Sequence, residues 1–252
     1  MEKSKGSIFI IAHKKFPQIL LSNYKTLLVG KKNFCLKNAL RDDVGINIAT
    51  KNKNYCELTG LYWIWKNWNE PSDYIGLVHY RRYFSKSFLF NNVKFYLSDD
   101  YIEKKLKKYD CILPRKFRFR KTIGLNYYQN GAGKKKDLMT LEKVIKEKFS
   151  EYSVSLDKVL QSHSASYCNM FIMKPKYFNQ YCDWLFSVLF EMEKRTSLKG
   201  YTKEEARIYG YLGEILLNVW VNHNNIRVKY LPMVVTEESI VRRAINKIKG
   251  VA

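Results

Sequence analysis

An α/β domain built on a mainly parallel sheet is the fold this chain predicts, and three observations carry the prediction. Short β-branched apolar runs alternate with stretches whose apolar residues recur every three or four positions. No segment repeats. The 252 residues are 46% hydrophobic and 15% aromatic, enough to enclose one sizeable core and too much for a disordered chain.

The elements follow in order. Residues 7–12 (SIFIIA) read as a buried strand, stopped by the polar run His13-Lys14-Lys15, and residues 26–30 form a second apolar run. From Asn52 onward, Tyr55, Leu58, Leu61, Tyr62 and Trp65 trace one face of a helix. Residues 73–80 return to strand. Ser98 caps a helix that carries Asp99 and Asp100 in its first turn and lysines in its last, complementing the helix dipole. A strand over 111–113 is ended by Pro114. Residues 115–121 (RKFRFRK) hold five cations in seven positions, and the Gly- and Lys-rich residues 124–136 read as a mobile loop. A helix from Asp137 places Leu138, Leu141, Ile145 and Phe149 together. The strand 169–173 leads to Pro175 at the first position of a long helix through Tyr181, Leu185, Val188, Leu189 and Met192. A helix over 203–222 and a strand over 226–231 complete a domain of residues 1–235, followed by a basic tail, 236–252.

The formal net charge of +22 predicts attraction to polyanions: nucleic acid, anionic lipid headgroups or phosphorylated substrates. Five cysteines without C-x-x-C spacing suggest neither a disulfide framework nor a zinc site, which points to a reducing cytoplasm. No signal peptide and no apolar run of the ~20 residues that cross a bilayer is evident, so any membrane work is expected from the surface of the inner face. In the tail, Arg242, Arg243, Lys247 and Lys249 interleave with Ile240, Val241, Ala244, Ile245 and Ile248, a pattern for an amphipathic helix on anionic lipid; a frayed solubilising end reads equally well.

In open α/β sheets ligands sit beyond the C-terminal ends of the strands. The stretch DYIGLVHYRRYF (73–84) puts His79, Arg81 and Arg82 at such an end. Neighbouring residues of an extended strand face opposite ways, so the two arginines share a pocket only if the chain turns there. The two arginines read either as a solvated pair or as a ligand site: a guanidinium fork suits a diphosphate, and His79 offers a donor to the same group or a supporting contact. The tryptophans 63, 65 and 68 at helical spacing read as core, and His163 and His223 as structural.

The blocks DDVGINIATKNKNYCELTGLYWIWKN (42–67), DYIGLVHYRRYF, CNMFIMKPKYFNQYCDWLF (168–186) and GYLGEILLNVW (210–220) resemble a family of capsule and exopolysaccharide glycosyltransferases. That family was long catalogued as a domain of unknown function and includes galactofuranosyltransferases. The resemblance implies a GT-A-like single Rossmann-like domain with a mainly parallel mixed sheet flanked by helices. It implies a UDP-sugar donor, galactofuranose as the best single choice, and a lipid-linked oligosaccharide acceptor assembled at an anionic membrane surface. Most GT-A enzymes hold a divalent metal on an Asp-x-Asp motif; this chain has none, so no metal cofactor is expected, and Arg81 or Arg82, helped by His79, is expected to stabilise the diphosphate. Glu214 matches the position of the base of an inverting transfer, with a helix-surface glutamate as its alternative. His13, Asp43, Asn47 and Asn52 are candidates for the donor nucleoside and Asn169 for the transferred sugar, each with an alternative as a turn, cap or strand-entry residue. The family commonly carries a histidine before the Asp137-Leu138 pair, where this chain has GAGKKK. Two competing readings stand beside this one: a retaining transferase, and a nucleic-acid-binding module using FRF in RKFRFRK as a stacking platform, although no known nucleic-acid module is present and nucleic acid is not the expected partner. Oligomeric state is not legible.

Overall fold

The computed structural model describes residues 5–30, 34–239 and 241. In chain order the elements are β1 (Ser7–Ala12), β2 (Tyr24–Leu28), β3 (Leu40–Arg41), α1 (Asn52–Tyr55), α2 (Leu58–Asn67), β4 (Ile75–His79), β5 (Arg82–Phe84), α3 (Asp99–Leu106), β6 (Cys111–Pro114), β7 (Phe117–Arg118), α4 (Ile123–Gln129), α5 (Lys135–Lys148), α6 (Ser153–Gln161), β8 (Ser164–Ala165), β9 (Phe171–Met173), α7 (Pro175–Arg195), α8 (Ile208–His223), β10 (Val228–Leu231) and β11 (Met233–Val235).

The central sheet runs β10-β6-β9-β4-β1-β2-β3. Its neighbours pair in parallel except around β9, which lies antiparallel between β4 and β6. The ends of β1, β2, β4, β6 and β10 therefore share one edge with the beginning of β9. Strand period fixes the two faces: in β1, Phe9 and Ile11 enter one core and Ile8, Ile10 and Ala12 the other. The first core is the larger and includes residues of α2, α5, α7 and α8, such as Leu61, Leu141, Leu185 and Leu216; the second holds α3 through Ile102 and β5 through Tyr83.

Several expectations need revision. The helix expected from Asn52 is broken at Cys56, whose backbone adopts φ 53°, ψ −129°, giving the separate helices α1 and α2. Residues 124–136 are mostly helical, in α4 and the start of α5, because Thr122 caps α4 through Leu125 N–H and Asp137 accepts from Lys134 N–H at 2.7 Å. Only residues 130–134 connect the two helices. Pro114 does close its strand, as the last residue of β6 and itself paired with Leu231. Ser98 precedes α3 without a side-chain capping bond, and Asp99 in the first turn accepts from the Tyr74 hydroxyl at 2.5 Å. Trp65 stacks on Phe186, Trp68 meets Phe9 edge-on and Trp63 is buried, so this aromatic stripe is core. Of the basic tail 236–252, residues 240 and 242–252, which carry the amphipathic pattern expected to lie on membrane, are outside the described residues.

Gly76 lies in β4 between β1 and β9, and a Cβ there would come 2.9 Å from Ile172 and 3.2 Å from Ile8. Overfilling a packed core costs about 1–3 kcal/mol. Gly76→Ala is expected to lower the melting temperature by several degrees in a thermal scan, leaving far-UV circular dichroism unchanged.

Candidate functional site

The HYRR sequence does turn. β4 ends at His79, Tyr80 and Arg81 form the bend, and β5 returns antiparallel with His79 opposite Arg82. Directly opposed residues share a face, so His79 and Arg82 project together. Arg81 projects elsewhere: its Nη1 meets Glu237 at 3.0 Å and its guanidinium lies over the Tyr80 ring. The Arg82 side chain has no ion pair with any described residue.

Across from this bend runs the segment leading into β9. His79 Nε2–H donates to the Cys168 carbonyl at 2.5 Å, since a carbonyl can only accept. The Cys168 N–H donates to Glu214 Oε1 at 2.8 Å. Asn169 Nδ2 donates to Glu57 Oε1 at 2.6 Å and to the Gly210 carbonyl at 2.9 Å, while its Oδ1 is buried with no hydrogen-bond partner. Cys168 and Asn169 both hold left-handed φ, 74° and 49°. Side chains other than glycine rarely stay there unless their surroundings enforce it, and such strain concentrates at working sites. Here the enforcement comes from α8: Gly210, Glu214 and Asn218 lie four residues apart on one stripe and bind residues 169, 168 and 166 in turn, Asn218 taking both the N–H and the carbonyl of Ser166.

The recess is electrostatically tense. Burial, and then the negative charge of Glu57, push the Glu214 carboxyl up to about 8, against the pull of the Cys168 N–H, Arg82 and Arg207. Burial holds the His79 imidazole below its ordinary value, with Arg82 and Arg81 adding to the effect, so it is neutral at pH 7. Burial also pushes the Cys56 thiol to about 11 and Cys168 to about 12, which leaves both protonated and unsuited to nucleophilic work.

A second polar cluster closes the exit of β2. Gly30 takes φ 68°, and its N–H donates to Asp42 Oδ1 at 2.8 Å. The Thr59 hydroxyl donates to Asp42 Oδ2 at 2.6 Å, and Asn52 Nδ2 reaches both Thr59 Oγ1 and the Cys56 carbonyl. A Cβ on Gly30 would lie 2.8 Å from Asn52 Oδ1, so only glycine fits.

Of the residues predicted from sequence, the fold links His79, Arg82, Asn169 and Glu214 through residues 168–169 and mutual charge, and places Asn52 in the cluster that also binds the Cys56 carbonyl. His13 is exposed at the same sheet edge, edge-on to Tyr80. Asp43 is engaged by Arg41 through two bonds of 2.8 and 2.9 Å, and Asn47 caps the following turn through Ala49 N–H. Three residues escaped the sequence reading: Glu57, Asp42 and Arg207. Glu57 carried a signal, being the only acidic residue between Asp43 and Glu70. No group of three or more His, Cys, Asp or Glu residues is placed to hold a metal ion among the described residues. His79 and Arg82 face each other across the bend between β4 and β5, and the nearby Glu214 and Glu57 are each hydrogen-bonded to residues 168–169. These residues do not fit a resident cation.

A mainly parallel sheet with one reversed strand inside it, and charged groups converging where the parallel strands end, is the GT-A class of architecture. The chain belongs to the family described as domain of unknown function DUF4422, whose model matches residues 7–225. No curated protein matches it. The apo structure of the bifunctional glycosyltransferase WbbM superposes with a TM-score of 0.84 at 28% identity, over 93% of this chain and 46% of that one. The chain thus spans less than half of that protein. The mannosyltransferase Ktr4p from S. cerevisiae is far more distant, with a TM-score of 0.37 at 8% identity over 86% of this chain and 65% of its own.

The position of Glu214 has a thermodynamic consequence. Its folded-state value of about 8 lies above the ordinary 4.5, so ionisation is harder in the folded than in the unfolded chain. Stability from this group is therefore intact at low pH and is lost as pH rises through the interval from 4.5 to 8. Glu214→Gln keeps an acceptor for the Cys168 N–H without the charge. Its melting temperature is expected to match wild type near pH 5 and to exceed it by a margin that widens up to pH 8, in parallel thermal scans across that range.

Proposed function

We propose that this chain is a glycosyltransferase domain that moves a sugar from a UDP-sugar to a lipid-linked surface glycan, with inversion at the anomeric carbon. One observation carries the reading: in a fold shared with a glycosyltransferase structure, Glu214 and Arg82 act on one recess at the C-terminal sheet edge, joined through Cys168.

The chemistry follows from those two charges. The acceptor hydroxyl gives its proton to the Glu214 carboxylate as its oxygen attacks the anomeric carbon, and the bond from that carbon to the diphosphate breaks. Negative charge gathers on the departing phosphate oxygen, where the permanent charge of Arg82 meets it. His79 is neutral and its Nε2–H is committed to the Cys168 carbonyl, so it serves this reading by holding the segment that Glu214 also binds. Asn169, with an unpartnered buried Oδ1, is the candidate to respond to the sugar, and Asp42, Asn52 and Gly30 shape the edge where the nucleoside would enter. Galactofuranose as the sugar, a role in capsule or exopolysaccharide assembly, independence of metal and a cytoplasmic location at the inner membrane face are parts of the same proposal. They rest on the family resemblance and on the absence of an Asp-x-Asp motif.

The test is turnover of a panel of UDP-sugars on a lipid-linked acceptor, followed by mass spectrometry and anomeric analysis of the product. Glu214→Gln is expected to retain the thermal shift given by UDP while transferring about 100-fold more slowly or worse, the scale of a lost general base. Because the base acts ionised, kcat/KM is expected to climb with pH towards about 8. Arg82→Ala is expected to lose about 100-fold or more in kcat, the scale of one removed electrostatic donor, whereas Arg81→Ala stays within about threefold because its partner is the exposed Glu237. Equal losses in the two arginine variants, or activity abolished by EDTA and restored by manganese, would overturn the assignment.

A further inference from the structure

The stretch RKFRFRK, residues 115–121, has no part in the reaction proposed above. It leaves β6 at Pro114, on the same sheet edge as the recess, and forms a two-stranded ribbon in which Phe117 pairs with Ala165 and Arg118 with Ser164. Strand alternation sorts its side chains. Phe117 and Phe119 turn inward and meet the ring of Tyr167 edge-on, at 6.1 and 5.3 Å between centroids. Arg115, Lys116, Arg118, Arg120 and Lys121 are exposed, the ribbon contains no carboxylate, and none of the five is ion-paired with a described residue. The ribbon runs directly into α4. There Leu125, on α4, and Met139, on α5, are both exposed and line an open groove of about 210 Å³ with Tyr128, Leu138, Leu160, Lys135 and one carboxylate, Glu142, on the α5 side.

We infer that the ribbon and the adjoining groove form a membrane-docking surface for bilayers rich in anionic phospholipid, with the cations on headgroup phosphates and Leu125 and Met139 against the acyl boundary. Two features favour lipid over nucleic acid. A single-strand platform needs aromatic rings presented outward for stacking, and here both phenylalanines turn inward towards Tyr167 and are half-buried. Exposed aliphatic side chains beside dense positive charge suit an amphiphilic interface and contribute nothing to phosphate-backbone binding. The surface adjoins the recess, because Tyr167 precedes the Cys168 that binds Glu214. Docking there would bring the sheet edge towards the membrane. The inference holds whatever reaction the recess performs, since it concerns binding alone.

The test is co-sedimentation of the full chain with vesicles of phosphatidylcholine, alone or with one-third phosphatidylglycerol, alongside binding to a single-stranded oligonucleotide. Wild type is expected to bind the anionic vesicles and to lose them with rising salt. A contribution of about 1 kcal/mol per cation at the surface makes Arg118→Ala with Arg120→Ala about 30-fold weaker. Leu125→Ser with Met139→Ser is expected to weaken vesicle binding and leave oligonucleotide binding alone. Lys104→Ala with Lys108→Ala removes the same charge near the start of β6, at the opposite sheet edge, and is expected to change little. Melting temperatures and turnover on a water-soluble acceptor check that the variants are folded and separate this result from failure of the proposed reaction. The inference is overturned if the two double arginine and lysine variants weaken binding equally, if the ribbon variant binds vesicles like wild type, or if oligonucleotide outcompetes vesicles for the ribbon.

Discussion

The polar stripe on α8 is the constraint from which the site follows. A helix as apolar as IYGYLGEILLNVWVNH gains most of its stability by burial, so each polar group on its inner side needs a partner. Glu214 and Asn218 find theirs in the backbone of residues 166–168, and the Gly210 carbonyl takes the Asn169 amide. That pairing holds two consecutive residues in left-handed conformations, at a cost of about 1–3 kcal/mol each. Small residues make the approach possible: a Cβ on Gly213 would come within 2.8 Å of Leu58 and 3.1 Å of Asn169 Oδ1. The segment so held delivers β9 to the sheet from the side where its neighbours end, which is why this reversed strand begins at the edge where the parallel strands finish.

Charge in the recess has the same origin. Residues 168 and 169 each bind one carboxylate, and so bring Glu214 and Glu57 within reach of each other. Two like charges in a partly dry space cannot both ionise freely, and burial decides which yields: Glu214 is the one pushed towards neutrality. Elsewhere along this edge cations are consumed locally, Arg41 by Asp43 and Arg81 by Glu237. Arg82 keeps its charge for the recess, and an anion entering there meets a field already oriented.

Much of the architecture could be read from sequence, because burial periodicity is written along each strand and helix. Residues 7–12 and the start of the long helix at Pro175 coincide with the observed elements, since nothing distant competes with their local pattern. The break at Cys56 was not legible. Residues 52–67 have uninterrupted helical spacing, and only tertiary contacts, from Arg207 and Gly210 against the Cys56 side chain and Asn52 against its carbonyl, single out that position. The loop expected at 124–136 failed for the opposite reason: its glycines suggested freedom, whereas Gly133 is buried against Tyr127 and Asp137 anchors the next helix. In the site, Arg81 and Arg82 look alike in sequence and differ only because the chain reverses between them. Glu57 was hidden by its aromatic neighbours, whose spacing proclaims core.

That reversal also bears on how a diphosphate would be met. A metal held by carboxylates needs those carboxylates ionised and turned inward, which competes with any base required beside them. A guanidinium carried on a hairpin is charged at every relevant pH and asks nothing of its acidic neighbours. In the proposed reaction the recess thereby keeps a carboxyl group whose proton affinity lies near neutrality, where a base both binds and releases a proton readily. In that reaction Arg82, the first residue of β5, lowers the proton affinity of Glu214 while burial and Glu57 raise it, and the balance near 8 leaves the carboxyl able to take the acceptor's proton.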